Sequence, residues 1–435
     1  MLFVALIGAK AQAQQPPSAA ADAVTTRPEA AALSSTELGR TEMAQSFTAL
    51  TRQQRLAEER RHALRDTEFK WELRSYDFDK RQFNGSQSAA WAAGGSAGFT
   101  TGYFRELMQF GATGYTSQPV YAPPAKAGTG LLQPDQTGYS VFGEAFARLH
   151  FEDVSIQLGR SGYDTPYLNR NDSRMTPQTF EGLALIGAHG GDDGPEWRYG
   201  GGYISAEKQQ NSEEFISMAK VAGASVDRGV YVAGASYKDG DLSIGAIDYY
   251  SKDIINIAYS ELSYAWPVAE DYKLMIRAQY TSQSSVGEEL LTGSQFSTEQ
   301  FGVKTELATR TALLSVAYTV TGRGADMKSP WSGYPGYTSV QLQNFNRAGE
   351  NALMLRAATT FGIRGLSAYA LWVHGYRPVN PKQLAADEYD ANLQWAAGNG
   401  ALRGLALRLR YAYVTRADGA HQNELRIMLS YAAPK

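Results

Sequence analysis

The segment LALRLRYAYV near the C-terminal end places Arg408 and Arg410 two positions apart among alternating apolar residues. In an extended chain, residues i and i+2 share a face and sit roughly 6.6 Å apart. Two guanidinium forks at that spacing can each take a carboxylate in bidentate fashion, which is chemistry of recognition and not of bond-making. Bond-making residues are sparse. The five histidines, at 62, 150, 189, 374 and 421, contain no pair spaced for a metal, and there is no cysteine for a thiolate site or a disulfide. One Gly-x-Ser-x-Gly match, Gly94-Gly95-Ser96-Ala97-Gly98, lies in a stretch that reads as a strand, whereas a nucleophile elbow needs a strand-to-helix turn. No phosphate-binding glycine loop is present. No catalytic residue, metal or cofactor is therefore expected.

A period of two positions these arginines. It starts after Asp66, where Phe69, Trp71 and Leu73 alternate with Lys70, Glu72 and Arg74, and it returns along the chain in YSVFGEAFARLHF, DYKLMIRAQY, ALLSVAYTV, ALMLRAATTF and NELRIMLSY. One apolar and one polar register per strand is the pattern of a sheet with lipid on one side and water on the other. Strands are predicted near 68–77, 89–102, 105–116, 139–151, 154–161, 180–189, 195–205, 229–238, 241–250, 255–266, 271–281, 296–308, 311–321, 351–362, 366–375, 388–397, 404–415 and 422–432, eighteen in all. Their connections mostly alternate between tight turns, such as the one at Asp239-Gly240, and long loops near 116–138, 162–179, 206–228, 282–295 and 322–350; the short connection at 251–254 breaks the rule. A soluble two-sheet protein has no reason for that asymmetry, while a closed transmembrane antiparallel β-barrel has it on its two sides of the membrane. Trp71, Trp197, Trp266, Trp372 and Trp395 are candidates for its aromatic girdles.

With the apolar register facing lipid, the other register faces the lumen. Lys70, Arg74, Arg148, Arg198, Lys273, Arg277, Lys304, Arg356, Arg408, Arg410 and Arg426 then point inward against Glu72, Glu144, Glu261, Glu306, Asp390 and Glu424, eleven bases to six acids. Seven of these bases, Arg74, Arg148, Arg277, Arg356, Arg408, Arg410 and Arg426, are the candidate pore-lining positions. The loop GYDTPYLNRNDSRMTPQT carries Tyr163, Asp164, Tyr167, Arg170, Asp172 and Arg174 and is expected to fold inward and narrow the lumen. Charges of both signs there would orient a carboxylate or a zwitterion.

Bulk properties agree with this reading. The 435 residues include 43 Gly and 26 Tyr, and the mean hydropathy is -0.36. Past the N-terminus no apolar run approaches the ~20 residues of a membrane helix. A formal net charge of -3 gives no field that would draw nucleic acid. MLFVALIGAKAQA reads as a signal peptide cleaved after Ala13. Residues 14–34 read as a disordered linker, 35–66 as a charged periplasmic helix with Ser34 and Glu37 at capping-box spacing, and 67–435 as the barrel.

Four segments, WELRSYDFDKR, GEAFARLHFEDVSIQLGR, RMTPQTFEGL and LALRLRYAYVTRADGAHQNELRIMLSY, together resemble the OprD family of outer-membrane porins, from about Glu68 to Tyr431. The most specific pieces are Arg174 with Pro177-Gln178-Thr179, and Gln422-Asn423-Glu424. The resemblance implies an 18-strand barrel in the outer membrane of a Gram-negative bacterium, commonly a homotrimer or weakly associated. It implies a third loop folded into the lumen and an arginine ladder that guides small carboxylates such as amino acids or aromatic acids. Arg74, Arg148, Arg174, Arg408, Arg410 and Arg426 match basic positions of the family pattern. The chain ends Tyr431-Ala-Ala-Pro-Lys where the family has a terminal aromatic residue. Expected partners are outer-membrane lipids, the barrel assembly machinery and small anionic or zwitterionic solutes. A structural or plugged barrel is the alternative, and a barrel hydrolase a more distant one.

Overall fold

The computed structural model describes residues 63–191, 194–331 and 333–433. The signal peptide, the linker and residues 35–62 of the helix expected over 35–66 lie outside the described residues. Residues 63–66 form a turn, in which Thr67 N donates to Leu64 O at 3.3 Å.

Among the described residues, nineteen strands follow one another with little else between them. They are β1 (Glu68–Arg81), β2 (Gln87–Thr100), β3 (Met108–Tyr121), β4 (Tyr139–Phe151), β5 (Val154–Ser161), β6 (Thr179–Gly190), β7 (Glu196–Lys208), β8 (Phe215–Ser217), β9 (Val230–Asp239) and β10 (Leu242–Ser251). The second half holds β11 (Ile255–Ala269), β12 (Tyr272–Ser284), β13 (Ser297–Ala308), β14 (Ala312–Thr321), β15 (Asn351–Thr360), β16 (Leu366–Tyr376), β17 (Ala386–Ala396), β18 (Leu405–Arg416) and β19 (His421–Ala432). Every pairing is antiparallel between neighbours, except that β7 passes over the short β8 to pair with β9. β19 pairs with β1, from Glu72↔Ala432 to Arg81↔Asn423, and this seam closes eighteen strands into a barrel.

Side-chain alternation sorts the wall into two faces. Phe69, Trp71 and Leu73 on β1, Leu314, Val316 and Tyr318 on β14, and Leu407, Leu409 and Tyr411 on β18 are exposed on the outer face. An apolar exterior at that density is stable in hydrocarbon and nowhere else. Trp71, Trp197 and Trp266 are exposed on this face. The opposite register is buried inside the barrel and holds most of the charge.

The interior is not uniformly polar. Inward residues of β9 to β11, including Val232, Ile247, Tyr249, Ile257 and Tyr259, form an apolar cluster with Tyr163, Tyr167, Met218, Trp331 and Tyr334 from the loops. One side of the lumen is thus packed like a soluble core.

Two local features depart from the expected layout. The third strand, expected over 105–116, runs 108–121, because Arg105 and Glu106 take left-handed φ values of 52° and 58° and make the preceding turn. The strand then continues beyond Tyr115 through Pro119, which sits beside a register shift at Trp91 and Ala92 where the ladder tolerates a missing donor. The loop at 206–228 contains β8 and a single-turn helix, α1 (Met218–Ala222), closed by Gly223 at φ 103°. At 251–254 the turn is tight, with Asp253 at φ 64°, and the neighbouring loop folds over it as Leu290 N donates to Asp253 O at 2.8 Å.

Trp266 is 43% exposed on the outer wall and Trp331 3% exposed inside. In bilayers of bromine-labelled lipid, a variant keeping only Trp266 should lose most of its fluorescence to quenching, and one keeping only Trp331 should lose little. Equal quenching of the two would contradict the assignment of faces.

Candidate substrate pathway

Antiparallel pairing sets directly opposed residues side by side on one face, so ladder partners form rows around the inner wall. One row runs Arg356, Leu371, Asp390, Ala412 across β15 to β18. The next runs Tyr369, Asn392, Arg410, Arg426 and Phe78 across β16 to β19 and over the seam to β1. A third runs Gln394, Arg408, Met428, Tyr76, and a fourth sets Ser430 beside Arg74. Successive rows lie two residues apart along each strand, roughly 6.6 Å. Guanidiniums therefore recur at every step from Arg356 through Arg410 and Arg426 to Arg408 and Arg74.

The loop between β5 and β6 faces this wall. Its far end is anchored by Tyr167, which is fully buried with edge-on contacts to Tyr249 and Tyr334. Tyr167 N donates to Tyr249 Oη at 3.3 Å, and Gln283 Nε2 donates to Tyr167 Oη at 3.2 Å. Its near end is tied to β1. Arg74 Nη1 and Nη2 donate to the two carboxylate oxygens of Asp172 at 2.5 and 2.6 Å, and Tyr76 Oη donates to Ser173 O at 3.1 Å. Seven wall strands separate β1 from β10 one way round the ring and nine the other way, so the segment crosses the inside of the barrel. Arg174 leans back over the Phe78 ring at 5.0 Å, and its Nε donates to Thr129 O at 2.9 Å. Burial and the nearby Arg426 and Arg410 guanidiniums push its pKa down to about 10, the mark of cations crowded without enough counter-charge.

The loop between β14 and β15 crosses as well. Tyr337, fully buried, donates from Oη to Glu261 on β11 at 2.7 Å. At the other end, the Glu388 carboxylate accepts from Leu342 N and Gln343 N at 2.7 and 2.8 Å, and Asp390 accepts from Gln341 N at 3.2 Å. Between the two loops and the arginine rows lies a cavity of about 600 Å³.

Of the positions expected from sequence, Arg356, Arg408, Arg410 and Arg426 of the wall and Asp164, Arg170, Asp172 and Arg174 of the loop border this one cavity. Arg74 stands beside it, bound to Asp172 and Glu72. Arg148 and Arg277 are inward but elsewhere. Arg148 is held by Gln109 Oε1 at 2.9 Å and Gln157 Oε1 at 2.7 Å, and Arg277 approaches Glu306 at 3.5 Å. Tyr163 and Tyr167 belong to the apolar cluster that anchors the loop. Sequence reasoning did not single out Tyr369, Asn392 or Gln341, which also matter. Arg408 Nε donates to Asn392 Oδ1 at 2.9 Å, Arg410 Nη2 donates to Tyr369 Oη at 3.0 Å, and Gln341 borders the cavity. The parity of β16 and β17 carried the first two; nothing in the chain marked the third. The Gly94–Gly98 stretch lies within β2.

A closed, lipid-facing barrel enclosing a polar cavity defines an outer-membrane porin, a channel of the Gram-negative outer membrane. Residues 63–434 match the sequence model described as outer membrane porin, OprD family, and the chain belongs to that family. Among solved structures it is similar to Pseudomonas aeruginosa OccK9 (OpdG), with 23% identity, a TM-score of 0.77, and coverage of 86% of this chain and 99% of that one. It is similar to P. aeruginosa OpdK with vanillate at 20% identity and a TM-score of 0.74, covering 86% and 100%. Acinetobacter baumannii OccAB3 follows at 16% and 0.76, covering 85% and 100%. The search of curated proteins returned no match.

The Arg74–Asp172 pair joins the crossing loop to the wall. With Asp172 40% exposed, solvent screening reduces its worth to about 1 kcal/mol. A double-mutant cycle with Arg74→Ala and Asp172→Ala, read from urea unfolding in detergent, should return a coupling of that size. Each single change should also raise open-channel current noise. Strict additivity with unchanged noise would mean that the pair does not hold the loop.

Proposed function

We propose that this porin is a substrate-selective channel for the passive diffusion of small carboxylate-bearing solutes. The loop between β5 and β6 forms its constriction, and the arginine rows form the path along which the carboxylate is handed on. The observation that carries the reading is the recurrence of guanidiniums at every row of one wall, facing a cavity large enough for a small organic acid. The magnitudes suit a channel. A partly exposed guanidinium–carboxylate contact is worth about 0.5–2 kcal/mol, enough to steer an anion and too little to trap it, and several such contacts give half-saturation near ~1 mM. Conduction needs this kind of repeated weak binding.

Vanillate in the OpdK structure is an aromatic carboxylate. Leu371, Met354 and Val340 around the present cavity offer apolar surface for such a ring beside the arginines. Of the acids bordering the cavity, Asp164 and Asp172 each lie beside an arginine, at 3.8 and 2.5 Å, and Asp390 accepts from Gln341 N at 3.2 Å, against six bordering arginines. The balance favours aromatic and other simple acids over basic amino acids.

In proteoliposomes, the combined substitution Arg408→Gln and Arg410→Gln should raise the half-saturating concentration of benzoate roughly tenfold, the effect of about 1.4 kcal/mol, while potassium chloride still passes in a planar bilayer. Unchanged benzoate uptake would refute the arginine path, and absence of any ion current in the unmodified protein would identify a plugged barrel.

A further inference from the structure

Tyr369 on β16 is 8% exposed, and its ring packs against Leu313 and Ala358 on the two preceding strands. The Arg356 guanidinium from β15 lies over the ring face, 4.4 Å from its centre. The hydroxyl accepts from Arg410 Nη2 of β18 at 3.0 Å. One neutral side chain thus holds two guanidiniums from strands on either side of it.

Several other arginines of this lumen have carboxylates as holders, although Arg148 is held by two glutamines and Arg408 by Asn392. Arg74 is held by Asp172 and Glu72, Arg198 by Glu196, Arg426 by Glu424, and Arg277 approaches Glu306. A carboxylate fixes a guanidinium and cancels its charge together. A tyrosine fixes by ring face and hydroxyl and cancels nothing. Among the described residues, Arg356 Nε and Nη2 find no hydrogen-bond acceptor, and Arg426 Nη1 next to Arg410 in the row finds none either. These donors are buried against the cavity that Tyr369 also borders.

We propose that Tyr369 is a positioning residue for solute binding, which spaces Arg356 and Arg410 so that one carboxylate is gripped between them. The proposal rests on the reading of the cavity as a carboxylate path. Without the ring and hydroxyl, mutual repulsion drives the two cations apart and the seat for a single anion is lost. A glutamate at 369 would itself occupy that seat.

The test uses the full-length porin in proteoliposomes with benzoate as the probe, comparing Tyr369→Phe and Tyr369→Leu, with heat-modifiable gel mobility to verify the closed barrel. Phe keeps the ring under Arg356 and removes the hydroxyl, so the half-saturating concentration should rise roughly threefold; Leu removes both contacts and should raise it roughly tenfold. The maximal rate should not fall, and entry of neutral arabinose should be unchanged. A purely structural role for Tyr369 would instead lower the maximal rate and arabinose entry together, and that result overturns the proposal. Unchanged half-saturation in the Phe variant overturns it too, including where the Leu variant fails to assemble. If Arg408→Gln with Arg410→Gln still raises half-saturation, only the role of Tyr369 has failed; if that substitution is also silent, the carboxylate path has failed with it.

Discussion

Hydrocarbon offers no hydrogen-bond partner to a peptide group, so a sheet that crosses a membrane must leave no edge unpaired. Everything in this molecule follows from the pairing of β19 with β1 that meets this demand. Closure gives each strand a wet face and a dry face. The period of two then fixes which side chains meet solute and which meet lipid, with no freedom to slip by one residue. The arginine rows are a by-product of that rigidity: once the ladder registers are set, Arg356, Arg410, Arg408 and Arg74 stand one step apart without needing contacts among themselves.

The interior solves a different problem. Eighteen strands enclose more space than the side chains of the wall can fill. Here the excess is removed by apolar packing on one side, where Tyr167, Tyr249, Trp331 and Tyr334 meet as they would in a soluble core. Polar anchoring does the rest, through Asp172 on one crossing loop and Glu388 and Asp390 on the receiving end of the other. Acids in this lumen therefore act as fasteners for backbone and for loops, and bases are left to face the passage.

Much of this was legible in the chain, because lipid enforces alternation. Phe69, Trp71 and Leu73 against Lys70, Glu72 and Arg74 give away both the strand and its faces, and all eighteen wall strands fall where alternation puts them to within a few residues. What failed to show has a physical reason in each case. Arg105 and Glu106 turn the chain in left-handed conformations without glycine, so the start of β3 was hidden. α1 spans Met218–Ala222, too short for a helical period to appear. The crossing loops are fixed by single long-range bonds, such as Tyr337 to Glu261, that no local pattern announces. Tyr369 is an ordinary strand tyrosine until the registers of two ladders bring Arg410 to its hydroxyl.

The seam has a temporal consequence. Arg74 belongs to the first strand of the wall, Arg426 to the last and Arg410 to the one before it, so the passage straddles the join between the two ends of the chain. A partly inserted sheet, however many hairpins it has laid down, does not yet bring the arginines of its two ends side by side. The arginine-lined cavity comes into being at the same instant as that seam zips, and an unfinished barrel does not contain it.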